Sequence, residues 1–295
     1  MSQSNPLDFD SLWDYSNPQE TEIKFREVLK QIPETESAHL ELLTQIARTQ
    51  GLQRKFDEAH QTLDEVEKRL KEESKVKVRY LLERGRVFNS SKHPDKAKPL
   101  FEQAFELAKK LKEDNYAVDA IHMLAIVSDP ADSLNLNLQA IAYAESSPDE
   151  KARDWLGSLY NNTGWSYHDT GDYESALKIF EKAEAFRRLA LSRVEVSKND
   201  ASRLRIAIWT VARCLRSLNR VDEALSKQMQ LLKEFESVGE TDGYVFEEIG
   251  ECLLLLNRNE EAKPYFAKAY AELSKDGFLV DNEPERLKRL KELGN

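Results

Sequence analysis

The chain has 295 residues, of which 40% are hydrophobic and 33% are charged, with only 10 glycines and 9 prolines. This composition is typical of a folded, helix-rich protein rather than of a disordered chain. The net charge of −10 argues against general nucleic-acid binding, because phosphate backbones attract basic surfaces. The chain begins without a basic, apolar leader, and no apolar run has the length of a membrane span. We therefore expect a cytoplasmic protein that does not bind membranes.

Residues 1–19 form an N-terminal segment that alternates acidic and aromatic side chains, as in NPLDFDSLWDYSNP. One interpretation is that Leu12 and Trp13 cap the apolar face of the first helix. The other is that the segment folds back onto an arginine-containing binding surface of the helices that follow, since acidic and aromatic groups suit such a surface. The pattern leaves both interpretations open.

From about residue 20 onward, small residues recur at a fixed interval that predicts pairs of antiparallel helices. Gly164 is followed twelve residues later by Ala176 and then by the aromatic Phe180. A small residue at a helix crossing allows close approach, and the aromatic ring fills the next gap. The same small-to-small interval recurs in four other places: Ala47–Ala59, Gly85–Ala97, Ala212–Ala224 and Gly250–Ala262. The third repeat departs from it, because Asn137 stands where Ala125 requires a small partner.

The turns between paired helices also share a character. We expect the residues that end the first helices to adopt the left-handed conformation, with Asp or Ser capping the next helix. The residues chosen for that conformation are Gly171, His93, Asn219 and Asn257.

These residues resemble the signature of the tetratricopeptide repeat. Tyr160, Gly164, Tyr167, Ala176 and Phe180 occupy its bulky, small and aromatic positions. The resemblance implies an all-α fold, a right-handed α-solenoid of stacked antiparallel helix pairs. Residues 20–280 would hold about six repeats preceded by a half-repeat, and residues 281–295 a capping helix. Successive small anchors lie 38–48 residues apart, so the helices are longer than in the usual repeat of 34 residues.

In this family the first helices of the repeats line a concave groove that binds peptides or partner proteins. The resemblance therefore implies a protein- or peptide-binding scaffold. Asparagine amides suit a peptide backbone and arginines suit carboxylates, so we expect an extended, acidic peptide as partner. The repeat spacing also places Trp209 on the groove side, although a tryptophan in this position is more typical of the core than of a binding site. The predicted groove residues are Arg48, Arg86, Asn161, Asn162, Trp165, His168 and Arg213.

Nothing in the sequence indicates catalysis. His168 and Asp169 are adjacent, which does not suit a base and the group that orients it, and no Ser or Cys nucleophile accompanies them. Cys214 and Cys252 are interpreted as small buried residues. We therefore expect no enzymatic activity, no cofactor and no metal. The alternative function is a ligand-switched regulator that resembles the bacterial peptide-pheromone receptors built on such repeats.

Overall fold

A computed structural model describes residues 9–192 and 198–295, and all the regular structure in these ranges is helical. A short 3-10 helix, Phe9–Leu12, precedes the α-helices. The α-helices are α1 (Pro18–Leu29), α2 (Ser37–Leu52), α3 (Phe56–Arg69), α4 (Lys75–Ser90), α5 (Pro94–Leu111), α6 (Asp114–Val127), α7 (Pro130–Ser146), α8 (Glu150–Asp154), α9 (Leu156–Asp169), α10 (Tyr173–Leu191), α11 (Lys198–Ser217), α12 (Val221–Ser237), α13 (Gly243–Leu255), α14 (Asn259–Leu273), α15 (Gly277–Asn282) and α16 (Pro284–Leu293). The all-α prediction is confirmed.

The helices divide into two compact units, residues 1–156 and residues 157–295. In unit 1, α1 packs on α2, and the pairs α2–α3, α4–α5 and α6–α7 follow in order. The first helices α2, α4 and α6 also pack side by side. In unit 2, α11–α12 and α13–α14 form pairs, α10 packs on α11, and α16 packs on α14. Each unit is thus a stack of antiparallel helix pairs.

The helix crossings have the close packing that the small-residue interval predicts. A Cβ added at Gly85, Gly164 or Gly250 would lie less than 3.0 Å from a phenylalanine ring of the paired helix. The rings are those of Phe101, Phe180 and Phe266, and all three are fully buried. Because real Cβ atoms do not approach a ring so closely, glycine is required at these three crossings.

The turns confirm most of the predicted left-handed residues and correct one of them. Gly171, Asn219 and Asn257 have φ values of 82°, 59° and 59°. The choice of His93 is wrong, because its φ is −120° and Lys92 adopts the left-handed conformation instead. In these turns the left-handed residue lies two positions before the next helix begins, as Asn219 does before α12 and Lys92 before α5. His93 is instead the N-cap of α5, the position that Asp172 occupies before α10.

Candidate functional site

We define the first-helix face of each unit as the surface formed by the first helices of its pairs: α2, α4 and α6 in unit 1, and α9, α11 and α13 in unit 2. In unit 1 this face is cross-linked by ion pairs between neighbouring first helices. The Arg48 guanidinium lies 3.1 Å from a Glu83 carboxylate oxygen, and Arg86 lies 2.7 Å from the same carboxylate. Arg86 also pairs with Asp119 on α6. Both predicted arginines are therefore already neutralised by carboxylates of their own unit.

Arg48 is half-buried, so its surroundings change the pKa of its guanidinium more than those of an ordinary surface arginine do. Its burial disfavours the charged form, but Glu83, Tyr15 and Asp119 together outweigh this and raise the pKa of Arg48 above its usual value. Arg48 and Arg86 both line a cavity of about 180 Å³, together with Glu83, Leu52 and Met123. The structure thus brings the two predicted groove residues of unit 1 together at one small cavity.

In unit 2, Asn161 and Asn162 lie half-buried on α9. The Nδ2 of Asn161 donates a long hydrogen bond of 3.4 Å to the Oδ1 of Asn162. The two amides line a cavity of about 190 Å³, and Arg203 and Ile206 of α11 also line it. Since each amide offers two donors and an acceptor, the pair retains capacity for further hydrogen bonds.

Trp165 and His168 pack together one turn apart on α9. The Trp165 ring contacts Phe180 edge to face at 5.3 Å and His168 at 5.1 Å, and it lies 6.1 Å from Trp209. The Nε2 of His168 lies 2.9 Å from the Ser217 hydroxyl. Burial, followed by the charge of Arg213, lowers the pKa of His168, which favours the neutral imidazole. This pair contributes an aromatic surface rather than a charged one.

Arg213 repeats in unit 2 the arrangement of Arg48 in unit 1. Its Nε lies 3.0 Å from a Glu248 carboxylate oxygen on α13, and Arg216 binds the same carboxylate at 2.7 Å. Arg48–Glu83 and Arg213–Glu248 are both 35 residues apart, from the position after one small anchor to the second position before the next. This recurring Arg–Glu interval is a signal in the sequence that would have indicated ion pairs instead of free arginines.

The sequence prediction missed an apolar pocket in unit 2. The pocket has a volume of about 340 Å³, and its apolar walls include Ile206, Trp209, Phe235 and Tyr244. Ile206 is 56% exposed although it is a large aliphatic residue. Trp209 is half-buried at this wall, with its Nε1 donating to the Tyr244 carbonyl oxygen at 3.3 Å. A usable signal existed, because Ile206 lies two helical turns before the predicted groove residue Arg213.

The rim of this pocket is polar and held in place. Arg205 pairs with Glu240 at 2.7 Å, and its guanidinium lies 4.6 Å from the centre of the Phe235 ring. The Asp242 carboxylate accepts the backbone N–H of Tyr244 at 2.8 Å and so caps α13. An apolar cavity with a few fixed polar groups at its mouth has the character of a ligand pocket.

The two cysteines are buried in the helix packing. Cys214 and Cys252 are buried free thiols, and burial raises the pKa of Cys214 to about 11 and that of Cys252 to about 12. Among residues 9–192 and 198–295, no group of three or more His, Cys, Asp or Glu side chains could hold a metal ion. None of the helices described for these residues is both long enough and apolar enough for a bilayer span.

Comparisons with known proteins agree with this packing of helix pairs. Residues 157–187 match the family model of the tetratricopeptide repeat. A search of curated proteins finds no match. Among solved structures, a tetratricopeptide repeat protein from Parabacteroides merdae is similar, with a TM-score of 0.52 and 16% identity over 97% of this chain and 95% of that one.

Two further solved structures are similar as well. The apo form of RapI has a TM-score of 0.72 and 15% identity over 91% of this chain and 76% of RapI. NprR in complex with its cognate peptide NprX has a TM-score of 0.54 and 16% identity over 96% of this chain and 81% of NprR. The structure and these matches define a helical repeat protein. Its helix pairs have a tetratricopeptide-like fold.

Proposed function

We propose that this protein is a binding scaffold for a peptide or for an extended segment of a partner protein. The observation that carries the proposal is the surface of unit 2 on which the Asn161–Asn162 cavity and the apolar pocket share Ile206 as a wall. A peptide needs its backbone polar groups paired and its apolar side chains buried. This surface offers amides for the first requirement and a pocket for the second, side by side.

The size of the pocket defines the side chain it would take. About 340 Å³ lies at the lower end of the range for small-ligand pockets, roughly 300–1,000 Å³. One large aliphatic or aromatic side chain would fill it against Ile206, Trp209 and Phe235. Buried anchors of this kind supply most of the affinity at protein interfaces. Trp165 and His168 would extend the aromatic surface along α9.

The predicted arginines have a narrower role in this proposal. A carboxylate of the partner reaches Arg48, Arg86 or Arg213 only by replacing a carboxylate of the protein itself. Exchanging one ion pair for another contributes little affinity, and the net charge of −10 repels acidic partners at long range. We propose that these arginines select between partners by favouring segments that combine acidic and aromatic side chains, while the pocket provides the affinity.

Two further observations support a peptide or protein partner in the cytoplasm. The similar protein NprR has a cognate peptide, NprX, with which its structure was solved. The two cysteines of this chain are free and buried, as is common in reducing compartments. The acidic net charge argues against nucleic acid as the partner.

A displayed library of random 12-residue peptides, selected against the wild-type chain, tests the proposal. Enriched peptides are synthesised and their affinities are measured for the wild type, Ile206→Glu and Asn162→Ala. We expect a large apolar residue in the enriched sequences, at least a tenfold loss of affinity in Ile206→Glu, and a smaller loss in Asn162→Ala.

The matched control is Leu189→Glu, since Leu189 is 62% exposed but lies on the second helix α10. It should bind like the wild type. Equal affinity in Ile206→Glu and the wild type would show that the pocket is not the binding site. A large conformational change on binding would instead favour the ligand-switched regulator.

A further inference from the structure

Residues 9–17 of the N-terminal segment are held against unit 1 on both sides of Trp13 and Tyr15. Phe9 is buried in the core of the unit at 4% exposure. The Thr21 hydroxyl accepts the Asp14 N–H at 3.1 Å and lies 3.1 Å from the Asp14 carbonyl oxygen, to which it can donate. Asn17 caps α1 by accepting the Glu20 N–H. Residues 13–15 are therefore anchored by contacts on both sides.

Trp13 and Tyr15 form an aromatic pair on α2. Their rings stack at 4.6 Å with an interplanar angle of 5°. The Nε1 of Trp13 donates to the Oε1 of Gln45 at 3.1 Å, and the Arg48 guanidinium lies 5.8 Å and 5.6 Å from the centres of the two rings. Both rings thus contact the arginine that the sequence predicts for the groove.

The place of this pair distinguishes it from a simple end cap. Arg48 belongs to the first-helix face, where it pairs with Glu83 and lines the 180 Å³ cavity. Leu12 and Trp13 pack against the core of the unit, as the cap interpretation requires, but Tyr15 remains 61% exposed. Trp13, by contrast, packs edge to face on the core residue Phe25 at 5.3 Å. Tyr15 lies on the surface of the unit, as the outer residue of a bound peptide does.

The chemistry of Arg48 explains why rings are preferred here. Because Glu83 already pairs with its guanidinium, a free carboxylate gains little by approaching it. The flat faces of the guanidinium remain available to aromatic rings, which cations attract through the ring quadrupole. The surface therefore selects stacked aromatic side chains.

We infer that the first-helix face of unit 1 is a recognition surface for segments with two aromatic residues separated by one residue, and that Trp13 and Tyr15 are its resident occupant. This rests on the proposed function in one respect, that first-helix faces bind peptides. A partner segment of the same chemistry must displace residues 13–15. Its apparent affinity is therefore its intrinsic affinity multiplied by the fraction of time for which the face is vacant.

The test uses a fluorescein-labelled synthetic peptide with the sequence of residues 9–17, FDSLWDYSN. Its binding to the full-length wild type and to the full-length double variant Trp13→Ala, Tyr15→Ala is measured by fluorescence anisotropy. We expect the double variant to bind the peptide at least tenfold more tightly, since its face is vacant. Adding Arg48→Ala to the double variant should remove at least tenfold of that affinity.

The matched control is Ile23→Ala, which truncates a 58% exposed residue of the nearby α1 and should bind like the wild type. Tyr15→Ser alone leaves Trp13 and its contacts with the core in place. This variant tests the inference if the double variant is misfolded. It should bind the peptide several-fold more tightly than the wild type.

Equal affinities in the wild type and the vacated variants, or no effect of Arg48→Ala, would overturn the inference. Neither result affects the proposed function, which is tested in unit 2 with Ile206→Glu and unrelated peptides. If Ile206→Glu loses affinity for the selected peptides and the vacated variants bind the labelled peptide no better than the wild type, peptide recognition is restricted to unit 2.

Discussion

The second and third helix pairs of unit 1 have the same topology but differently built crossings. In the pair α4–α5, Gly85 lets the Phe101 ring approach the helix backbone, and Ala97 is fully buried at the crossing. In the pair α6–α7 the equivalent position is occupied by Asn137, which is only 4% exposed. The comparison shows that the topology of a repeat tolerates a polar residue where its neighbours have a methyl group.

That tolerance has an energetic cost. Among the residues that the structure describes, the buried polar atoms without a hydrogen-bond partner include His122 Nδ1, Ser128 Oγ and Asn137 Oδ1. All three belong to the third pair or its connecting turn, and an unsatisfied buried polar atom costs about 1–3 kcal/mol. Because a helical repeat array is stabilised mainly by terms within and between adjacent repeats, we expect the third pair to open before the second.

The largest expected effect is that of a charge at the tight crossing. Ala97→Asp places a carboxylate in a fully buried position with no room for water, and we expect a loss of about 3–5 kcal/mol in the free energy of unfolding. Urea denaturation followed by circular dichroism measures it. The control is Ala131→Asp, at an exposed position in the first turn of α7, which should change stability little. An unchanged midpoint in Ala97→Asp would contradict the assignment of the crossing.

The crossings could be predicted from the sequence because they depend on short, regular intervals. Gly164, Ala176 and Phe180 lie within one helix pair, and their packing follows from residue size alone. The left-handed residues were equally local, and the error at His93 was one of register, because His93 is the N-cap that follows the left-handed residue Lys92. Local geometry therefore accounts for both the success and the error.

The candidate site was less predictable because it depends on which side chains meet between repeats. Asn161 and Asn162 line a cavity, as predicted groove residues can, whereas the apolar pocket at Ile206 and Trp209 was missed. That pocket forms from two first helices, a second helix and the turn before α13, whose relative positions no short interval specifies. The ion pair of Arg48 was not predicted for the same reason, because the Glu83 carboxylate that binds it lies on the next first helix, α4.

A smaller effect of opposite sign is expected at the third crossing. Asn137→Ala installs the residue type of the other crossings and removes an unsatisfied Oδ1, and we expect a gain of about 1 kcal/mol in the free energy of unfolding. Hydrogen exchange should slow most in α6 and α7, because the stability of the third pair against opening would then approach that of the second pair. A net loss of stability, as from an empty cavity, would show that the asparagine packs better than its hydrogen bonding indicates.

The smallest expected effect is a pH dependence that also belongs to the third pair. Burial lowers the pKa of His122, which packs against Trp155 at 5.5 Å. Because the folded-state pKa lies below the ordinary value near 6.5, the folded protein favours the neutral ring. This contribution to stability is complete above pH 6.5 and is lost as the pH falls through the folded-state pKa. Melting temperatures of the wild type should therefore decrease between pH 7.5 and pH 5, and those of His122→Gln should decrease less. Parallel curves for the two proteins would mean that acid weakens the ion pairs of the first-helix faces and leaves the third pair unaffected.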